Sequence, residues 1–279
     1  MSIATAYRQL SQRLTKIYDE REAQSIASIV FEDIFGIRNI NRKEPFSADL
    51  LDPVAERLLA GEPVQYVLGK ADFYGLKITV TSDTLIPRAE TEELVFEILG
   101  NHGPHPSRTV LDIGTGTGCI PLVLKHQRPA WHVTGADVSP GALAVAQDNA
   151  KQLNLNVMFR LANILEAKDQ ASLPYYDIII SNPPYIPPSE SRLLPSNVLQ
   201  HEPHLALFTE TEDALVFYRT IAQFAAQHLN PQGMLYFELN EFNGDEVLEC
   251  VESQGFECIE LKKDMQGKIR ILSAQYPGQ

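Results

Sequence analysis

Val110-Leu111-Asp112-Ile113-Gly114-Thr115-Gly116-Thr117-Gly118-Cys119-Ile120 reads as an apolar strand that runs into three glycines at alternate positions and then into a helix. Glycine reaches positive φ at little cost and has no Cβ, so such a run allows a tight turn and lets the backbone approach a ligand closely. The spacing is GxGxG, whereas dinucleotide-binding turns carry GxGxxG. A closely applied, non-phosphorylated ligand is therefore favoured over a pyrophosphate. Asp137 lies 21 residues beyond Gly116, in Ala136-Asp137-Val138-Ser139-Pro140, at the end of the next apolar run. A carboxylate there can accept hydrogen bonds from both hydroxyls of a ribose. The glycine loop and Asp137 together point to a nucleoside-containing ligand. Asp112, beneath the loop, is read as binding loop amides, touching the ligand through water, or both.

Outward from this loop, strand and helix patterns alternate. Strands are expected at Thr109–Ile113, His132–Val138, Asn156–Leu161, Asp177–Ser181, Met234–Leu239, Glu257–Leu261 and Ile269–Ala274. Helices fit 90–99, 118–127, 140–153, 213–229 and 244–254. Apolar strands alternating with amphipathic helices imply a mostly parallel sheet covered on both faces. Only Lys262 to Lys268 separates the last two strands, which is too short for a helix, so they should pair antiparallel.

The first third reads differently. Ile3, Tyr7, Leu10, Leu14 and Ile17 fall on one helix face, as do Ile26, Ile29, Val30 and Ile34. Leu50, Leu51, Val54, Leu58 and Leu59 form a third stripe that ends at Gly61. Short one-sided helices must pack on one another, so residues 1–72 are expected to be a helical bundle. Phe73 to Thr81 is strand-like, Ser82-Asp83 looks like a turn, and Thr84-Leu85-Ile86 returns until Pro87. Residues 73–88 are thus read as a β-hairpin linker, and 89–279 as the second domain.

Composition bounds the function. The chain has 279 residues, 44% hydrophobic and 21% charged, enough for a sizeable core. It has no run of 18 apolar residues and no basic-then-apolar leader, so neither a membrane span nor a signal peptide is expected. Cys119, Cys250 and Cys258 form neither a disulfide framework nor a zinc pattern; reduced thiols in the cytoplasm are expected. The net charge is −13, and residues 1–75 carry 9 basic and 11 acidic residues. That balance gives no global attraction to nucleic acid.

A second motif follows the fourth strand of the alternating region: Tyr176-Asp177-Ile178-Ile179-Ile180-Ser181-Asn182-Pro183-Pro184-Tyr185. In a doubly wound sheet, ligands bind beyond the carboxyl ends of the strands. Two prolines remove two amide donors and stiffen the chain, which leaves the carbonyls of Asn182 and Pro183 free to face a substrate. Asn182 adds an amide oxygen and an NH2. Tyr185 adds a flat apolar face. The set makes an acceptor cradle for a planar NH2 group and suits methylation of an amide or an exocyclic amine. A delocalised nitrogen of this kind is a poor nucleophile, and accepting its N–H bonds holds it in place.

With both motifs, the sequence resembles the class I S-adenosylmethionine-dependent methyltransferases, and more narrowly the release-factor glutamine methyltransferases (the HemK/PrmC family). The resemblance covers nearly the whole chain, including Gly61-Glu62-Pro63-Val64-Gln65-Tyr66-Val67-Leu68-Gly69, Phe73-Tyr74-Gly75, Ile86-Pro87-Arg88-Ala89-Glu90-Thr91-Glu92 and Glu202-Pro203 with Ala206-Leu207. It implies a Rossmann-like α/β fold, a mostly parallel seven-stranded sheet with an antiparallel last strand, plus an N-terminal helical bundle that helps to bind the release factor. It further implies S-adenosylmethionine as cofactor, with S-adenosylhomocysteine as product. Gly114, Thr115, Gly116, Thr117 and Gly118 would line its methionine and ribose, Asp137 would hold the ribose hydroxyls, and Asn163-Ile164 would lie near the adenine, with Asn182 also beside the cofactor. Asn182, Pro183 and Pro184 would hold the glutamine of the Gly-Gly-Gln loop of class I peptide chain release factors, with Tyr185 packed against it. Catalytic duty would fall to Asn182, Pro183 and Tyr185. Neither a metal, a nucleic acid nor a membrane is implied as a partner. The sequence departs from the family pattern at Ala89, at Ile164 and in Glu238-Leu239-Asn240-Glu241-Phe242-Asn243.

Three alternatives compete. A nucleic-acid amino-methyltransferase could use the same cradle on a flipped base, against the charge balance. A non-catalytic cofactor-binding module would not need Asn-Pro-Pro-Tyr. A nicotinamide oxidoreductase is disfavoured by the glycine spacing. Arg88 is read as a substrate or interdomain contact, His201 and His204 as surface or structural groups, and Trp131 as core or rim. The acids Glu90, Glu92 and Glu93 suit a helix N-terminus.

Overall fold

The computed structural model describes residues 1–278. The chain forms two compact units, Met1–Ala71 with Pro195–His201, and Asp72–Leu194 with Glu202–Gln279.

The first unit is helical: Ile3–Leu14, Glu20–Asp33, Asp52–Leu59, Val64–Leu68 and Ser196–His201. Ser2 and Asp19 cap the first two helices, each side chain accepting from a backbone amide three residues on. The expected stripes are shifted in part. The first helix ends at Leu14, so Ile17 falls beyond it and is exposed. In the second, Ala23, Ile26, Ala27, Val30 and Phe31 form the buried face, whereas Ile29 and Ile34 are exposed. The small alanines let the helices approach, a face that a search for large side chains overlooks. Segment 195–201 joins this unit from far along the chain, which no local periodicity announces.

The expected hairpin exists, but it is displaced. Its strands are β1 (Lys70–Phe73) and β2 (Leu76–Thr79), and Tyr74 (φ 47°) and Gly75 (φ 80°) make the turn. Thr84–Ile86 is not a strand. Thr84 closes a turn instead, its amide donating to the Thr81 carbonyl at 3.0 Å. The two positive φ angles in succession match the twist of a tight hairpin, and Tyr-Gly at that point was the overlooked signal.

The second unit holds the seven-stranded sheet. Its strands are β3 (Thr109–Ile113), β4 (His132–Asp137), β5 (Met158–Leu161), β6 (Tyr176–Ser181), β7 (Leu229–Glu238), β8 (Glu257–Lys263) and β9 (Ile269–Gln275). They lie in the order β5-β4-β3-β6-β7-β9-β8. The pairs from β5 to β7 are parallel, and β9 is antiparallel to both β7 and β8. The expected fold is therefore present, with the last strand reversed. Ala89–Asn101, Cys119–Gln127, Pro140–Gln152, Val216–His228 and Gly244–Glu252 are the main covering helices.

Two apolar clusters sandwich the sheet. Leu111, Ile179, Leu235, Phe237, Tyr218 and Ile221 belong to one, and Val110, Ile178, Ile180, Trp131, Leu94 and Leu122 to the other. Successive residues of a strand point to opposite faces, which is why Val110 and Leu111 part company. Trp131 is fully buried and is core. One buried polar residue ties the second unit together. Asn149 sits on the apolar face of helix Pro140–Gln152, accepts from Thr79 N at 2.7 Å, and donates to the carbonyls of Thr79 and Thr117 at 3.0 Å each. The hairpin is thereby joined to the glycine loop. Leaving one of these buried backbone groups unpaired would cost roughly 1–3 kcal/mol.

Candidate active site

The strand order brings β3 and β6 side by side, with Ile113 opposite Ser181. The glycine loop after β3 and the Asn-Pro-Pro segment after β6 therefore emerge together. A cavity of about 250 Å³ opens beyond these strand ends. It is lined by Gly114, Thr115, Gly116, Thr117, Asp137, Asn163, Ile164, Asn182, Pro183 and Pro184, and further walled by Ile86 to Arg88, Thr91 and the segment around Leu205, Ala206 and Phe208. This is the switch point of a doubly wound sheet, where such folds bind ligands.

The loop is fixed by its own backbone. Gly114, Gly116 and Gly118 have φ of 75°, 53° and 78°. The amides of Gly114 and Thr115 both donate to the Ala136 carbonyl, at 2.9 and 3.0 Å, and Gly118 N donates to the Thr115 carbonyl at 2.8 Å. Gly116 N donates to Asp137 Oδ2 at 2.8 Å, and Ser139 N to Asp137 Oδ1 at 2.9 Å. Each carboxylate oxygen keeps further acceptor capacity toward the cavity, because an ionised carboxylate offers about four lone-pair sites. Burial pushes the Asp137 carboxyl up from its ordinary value, against the amides of Ser139, Gly116 and Val138. Gly118 is outside the cavity lining. It starts helix Cys119–Gln127, where a Cβ would meet Ala146 at 3.1 Å and Phe159 at 3.3 Å, so its freedom serves helix packing.

Asp112 is almost wholly buried under the loop, and among the described residues neither of its oxygens receives a hydrogen bond. The reading that it binds loop amides does not hold, since those amides already serve Ala136, Asp137 and Thr115. Burial, eased by the nearby Thr115 hydroxyl and aggravated by the Asp137 charge, pushes its carboxyl up to about 7. The Thr115 hydroxyl, which lines the cavity, is itself unpartnered among the described residues.

The acceptor side is built from side chains. Asn182 Nδ2 donates to Thr91 Oγ1 at 3.4 Å, and Thr91 Oγ1 donates to Glu238 Oε2 at 2.6 Å. Glu238 ends β7 and is buried; desolvation pushes its carboxyl up to about 7, opposed by the Thr91 hydrogen bond and the Arg270 charge. Ser181 Oγ donates to the Ile113 carbonyl at 2.8 Å and fastens the two strand ends. Tyr185 lies outside the cavity lining and packs against the apolar cluster that contains Tyr218 and Ile221. The chain is drawn inward there because Ile186 pairs with Phe208, Ile186 N donating to the Leu207 carbonyl at 3.2 Å.

Arg88 faces the cavity and is ion-paired to buried Glu202, whose other oxygen accepts from Ile86 N at 3.2 Å. Glu202 thus joins two walls of the cavity. Two of the acids in the first turns of helix Ala89–Asn101 have partners: Glu92 accepts from Tyr74 N at 2.8 Å, and Glu93 accepts from Met265 N. Thr91, Glu202 and Glu238 were quoted in the sequence only as family segments or departures and given no role, and Asn149 was not singled out at all. Two of them are polar residues where the apolar pattern predicts a buried one: Thr91 shares its face with Leu94, Val95 and Ile98, and Glu238 follows Leu235-Tyr236-Phe237; Glu202 has no such pattern around it. Among the described residues, no cluster of three His, Cys, Asp or Glu side chains could hold a metal ion. No described helix is long and apolar enough to cross a membrane.

The sheet order, the glycine loop and the amide-bearing strand end define a methyltransferase. The family model described as Methyltransferase small domain matches residues 90–202. A methyltransferase of Pyrococcus furiosus has a similar fold, with a TM-score of 0.54 at 18% identity over 84% of this chain and all of that one. The release factor glutamine methyltransferase of Flavobacterium psychrophilum is 39% identical, over 96% of this chain and 97% of its own length. That of Bacteroides thetaiotaomicron is 37% identical over 98% and 99%. The chain belongs to the release factor glutamine methyltransferase family.

Proposed function

We infer that the protein transfers a methyl group from S-adenosylmethionine to the side-chain amide nitrogen, N5, of the glutamine in the Gly-Gly-Gln loop of peptide chain release factors, leaving S-adenosylhomocysteine. One observation carries the reading: Asn182 and Pro183 share a cavity with the glycine loop and Asp137. The family relatives support an amide acceptor and lend nothing to the nucleic-acid or non-catalytic alternatives.

The residues fit the cofactor. Gly114 and Gly116 leave the cavity wall bare of Cβ atoms, Asp137 keeps lone pairs for a diol, and Ile164 and Leu165 give an apolar wall for a purine. When bound, the cofactor supplies a methyl group activated by a positively charged sulfur. The chain's part is positional. The Asn182 Oδ1 and the Pro183 carbonyl accept the two N–H bonds of the substrate amide, which orients its plane and supports the positive charge that develops on nitrogen. No strong base is required, because a methylated amide nitrogen sheds its proton readily to water. A glutamate is rejected: its carboxylate has no N–H to donate and would face two acceptors in a desolvated site. The helical unit Met1–Ala71 is assigned to release-factor binding, and the cytoplasm, where release factors work, is the assigned location.

The test is incubation with methyl-labelled S-adenosylmethionine and purified release factor, beside a Gly-Gly-Ala variant and a mixed DNA and RNA pool. Label on the intact release factor alone is expected. Label on nucleic acid with none on protein overturns the substrate.

A further inference from the structure

The Asn182 carboxamide has two ends, and only one suits the reaction. Its oxygen must face the substrate; if the NH2 faced it, two donors would meet. Nothing in Asn182 itself prefers either orientation. The preference comes from behind it. Thr91 has a single hydroxyl hydrogen, and that hydrogen is directed to Glu238 Oε2 at 2.6 Å. Above its titration range, the Glu238 carboxylate can only accept, so it claims the hydrogen. Thr91 Oγ1 is then left with lone pairs only, toward Asn182 at 3.4 Å. Only the NH2 end can satisfy them, and Oδ1 is turned the other way.

We propose that Thr91 and Glu238 are positioning residues which fix the orientation of the Asn182 carboxamide and so make the site selective for an acceptor that donates N–H. The inference rests on the amide-acceptor reading above. It draws on three segments that lie far apart in the chain: Thr91 in the first turn of helix Ala89–Asn101, Asn182 after β6, and Glu238 at the end of β7. Their meeting follows from the strand order, because β6 and β7 are neighbours with Ser181 opposite Phe237. Glu238 is held in turn: Tyr218 Oη donates to its backbone carbonyl at 3.0 Å. A buried acid that ends a strand is costly unless it is bonded, and Thr91 supplies that bond.

The experiment compares Thr91→Val, which keeps the shape and loses the hydroxyl, with Thr91→Ser, which keeps the hydroxyl. Both are studied at pH 8, where Glu238 is mostly ionised. The first readout is solvent exchange of the Asn182 side-chain NH2 protons by NMR. Exchange should quicken about fivefold or more in Thr91→Val, the scale of one modest hydrogen bond, and stay near the wild-type rate in Thr91→Ser. The second readout is kinetic. The kcat for release factor should fall about tenfold or more in Thr91→Val, as expected for a misplaced contact group, with cofactor Kd unchanged and Thr91→Ser close to wild type. In an Asn182→Ala background, Thr91→Val should add little, because the relay has nothing left to orient. Unchanged NH2 exchange in Thr91→Val overturns the proposal, as does a full additional loss on top of Asn182→Ala. If the wild-type protein leaves the release factor unlabelled, the substrate reading fails, and the exchange measurement still decides the relay.

Discussion

The two sides of the cavity are made in different ways. The cofactor side is mostly a backbone structure: the glycine loop folds on Ala136 and Asp137 through amides that lie between residues 114 and 139, with Ile164 and Leu165 added after β5. The acceptor side is a side-chain structure drawn from Thr91, Asn182, Glu202 and Glu238. The contrast teaches that binding of a shared cofactor can be specified locally, whereas choice of acceptor is specified by topology. Many acceptors can be served by one kind of loop if the opposite wall is rebuilt.

Breaking the acceptor side should have the largest effect. Asn182→Ala should lower kcat by roughly 10²–10³-fold, the cost of losing one preorganised polar group, while cofactor Kd by calorimetry stays within about twofold. An unchanged kcat at saturating substrate removes Asn182 from its assigned role. The converse change comes next: Asp137→Ala should weaken cofactor binding about 10- to 100-fold, the loss of a bidentate charged acceptor worth some 1.5–3 kcal/mol. The kcat at saturating cofactor should change less. If each variant alters both quantities alike, the division into two sides is wrong.

The smallest effect concerns stability. Burial raises Asp112 to about 7 from the ordinary 3.8, so between these values the folded protein holds a proton that the unfolded chain has released. Folding is then favoured at low pH, and stability declines as pH rises through this window. Asp112→Asn cannot ionise and should escape the decline. Its Tm should exceed that of wild type by several degrees at pH 8, at roughly 2–4 °C per kcal/mol, and by little at pH 4. Equal Tm differences at both pH values would show that ionisation of Asp112 is not what the fold resists.

Much of this could be read from the residues alone, and the boundary is physical. Strands β3 to β9 and the five main covering helices announced themselves because their periodicity is local, although β7 starts earlier, at Leu229, and the short helices Ala167–Gln170, Ser196–His201 and His204–Leu207 gave no such signal; Gly114, Gly116 and Asp137 were legible because a turn and a strand end are local too. The hairpin was misplaced because Phe73 to Thr81 reads as one strand, and the Tyr74-Gly75 turn that breaks it carries none of the Asn, Asp or Pro that usually mark a turn, whereas Ser82-Asp83 does. Ile17, Ile29 and Ile34 suggested stripes that the alanines Ala6, Ala23 and Ala27 in fact define. Tyr185 was assigned to the substrate because it follows Asn-Pro-Pro; the structure instead packs it against the cluster of Tyr218 and Ile221, beside the bridge between Ile186 and Phe208. Thr91 and Glu238 could not be paired from sequence at all, since 147 residues separate them.

The placement of β9 has a consequence for how the chain is made. It sits between β7 and β8, so the strand that arrives later is inserted inside the one that precedes it, and β8 has no place in the sheet until β9 is present. During synthesis, β3 to β7 can assemble as a parallel array whose β7 edge, backed by Leu235, Tyr236 and Phe237, stays open. An open apolar edge of this kind recruits other strands indiscriminately. Residues 269–275 are therefore the strand that closes this edge and gives β8 its place in the sheet.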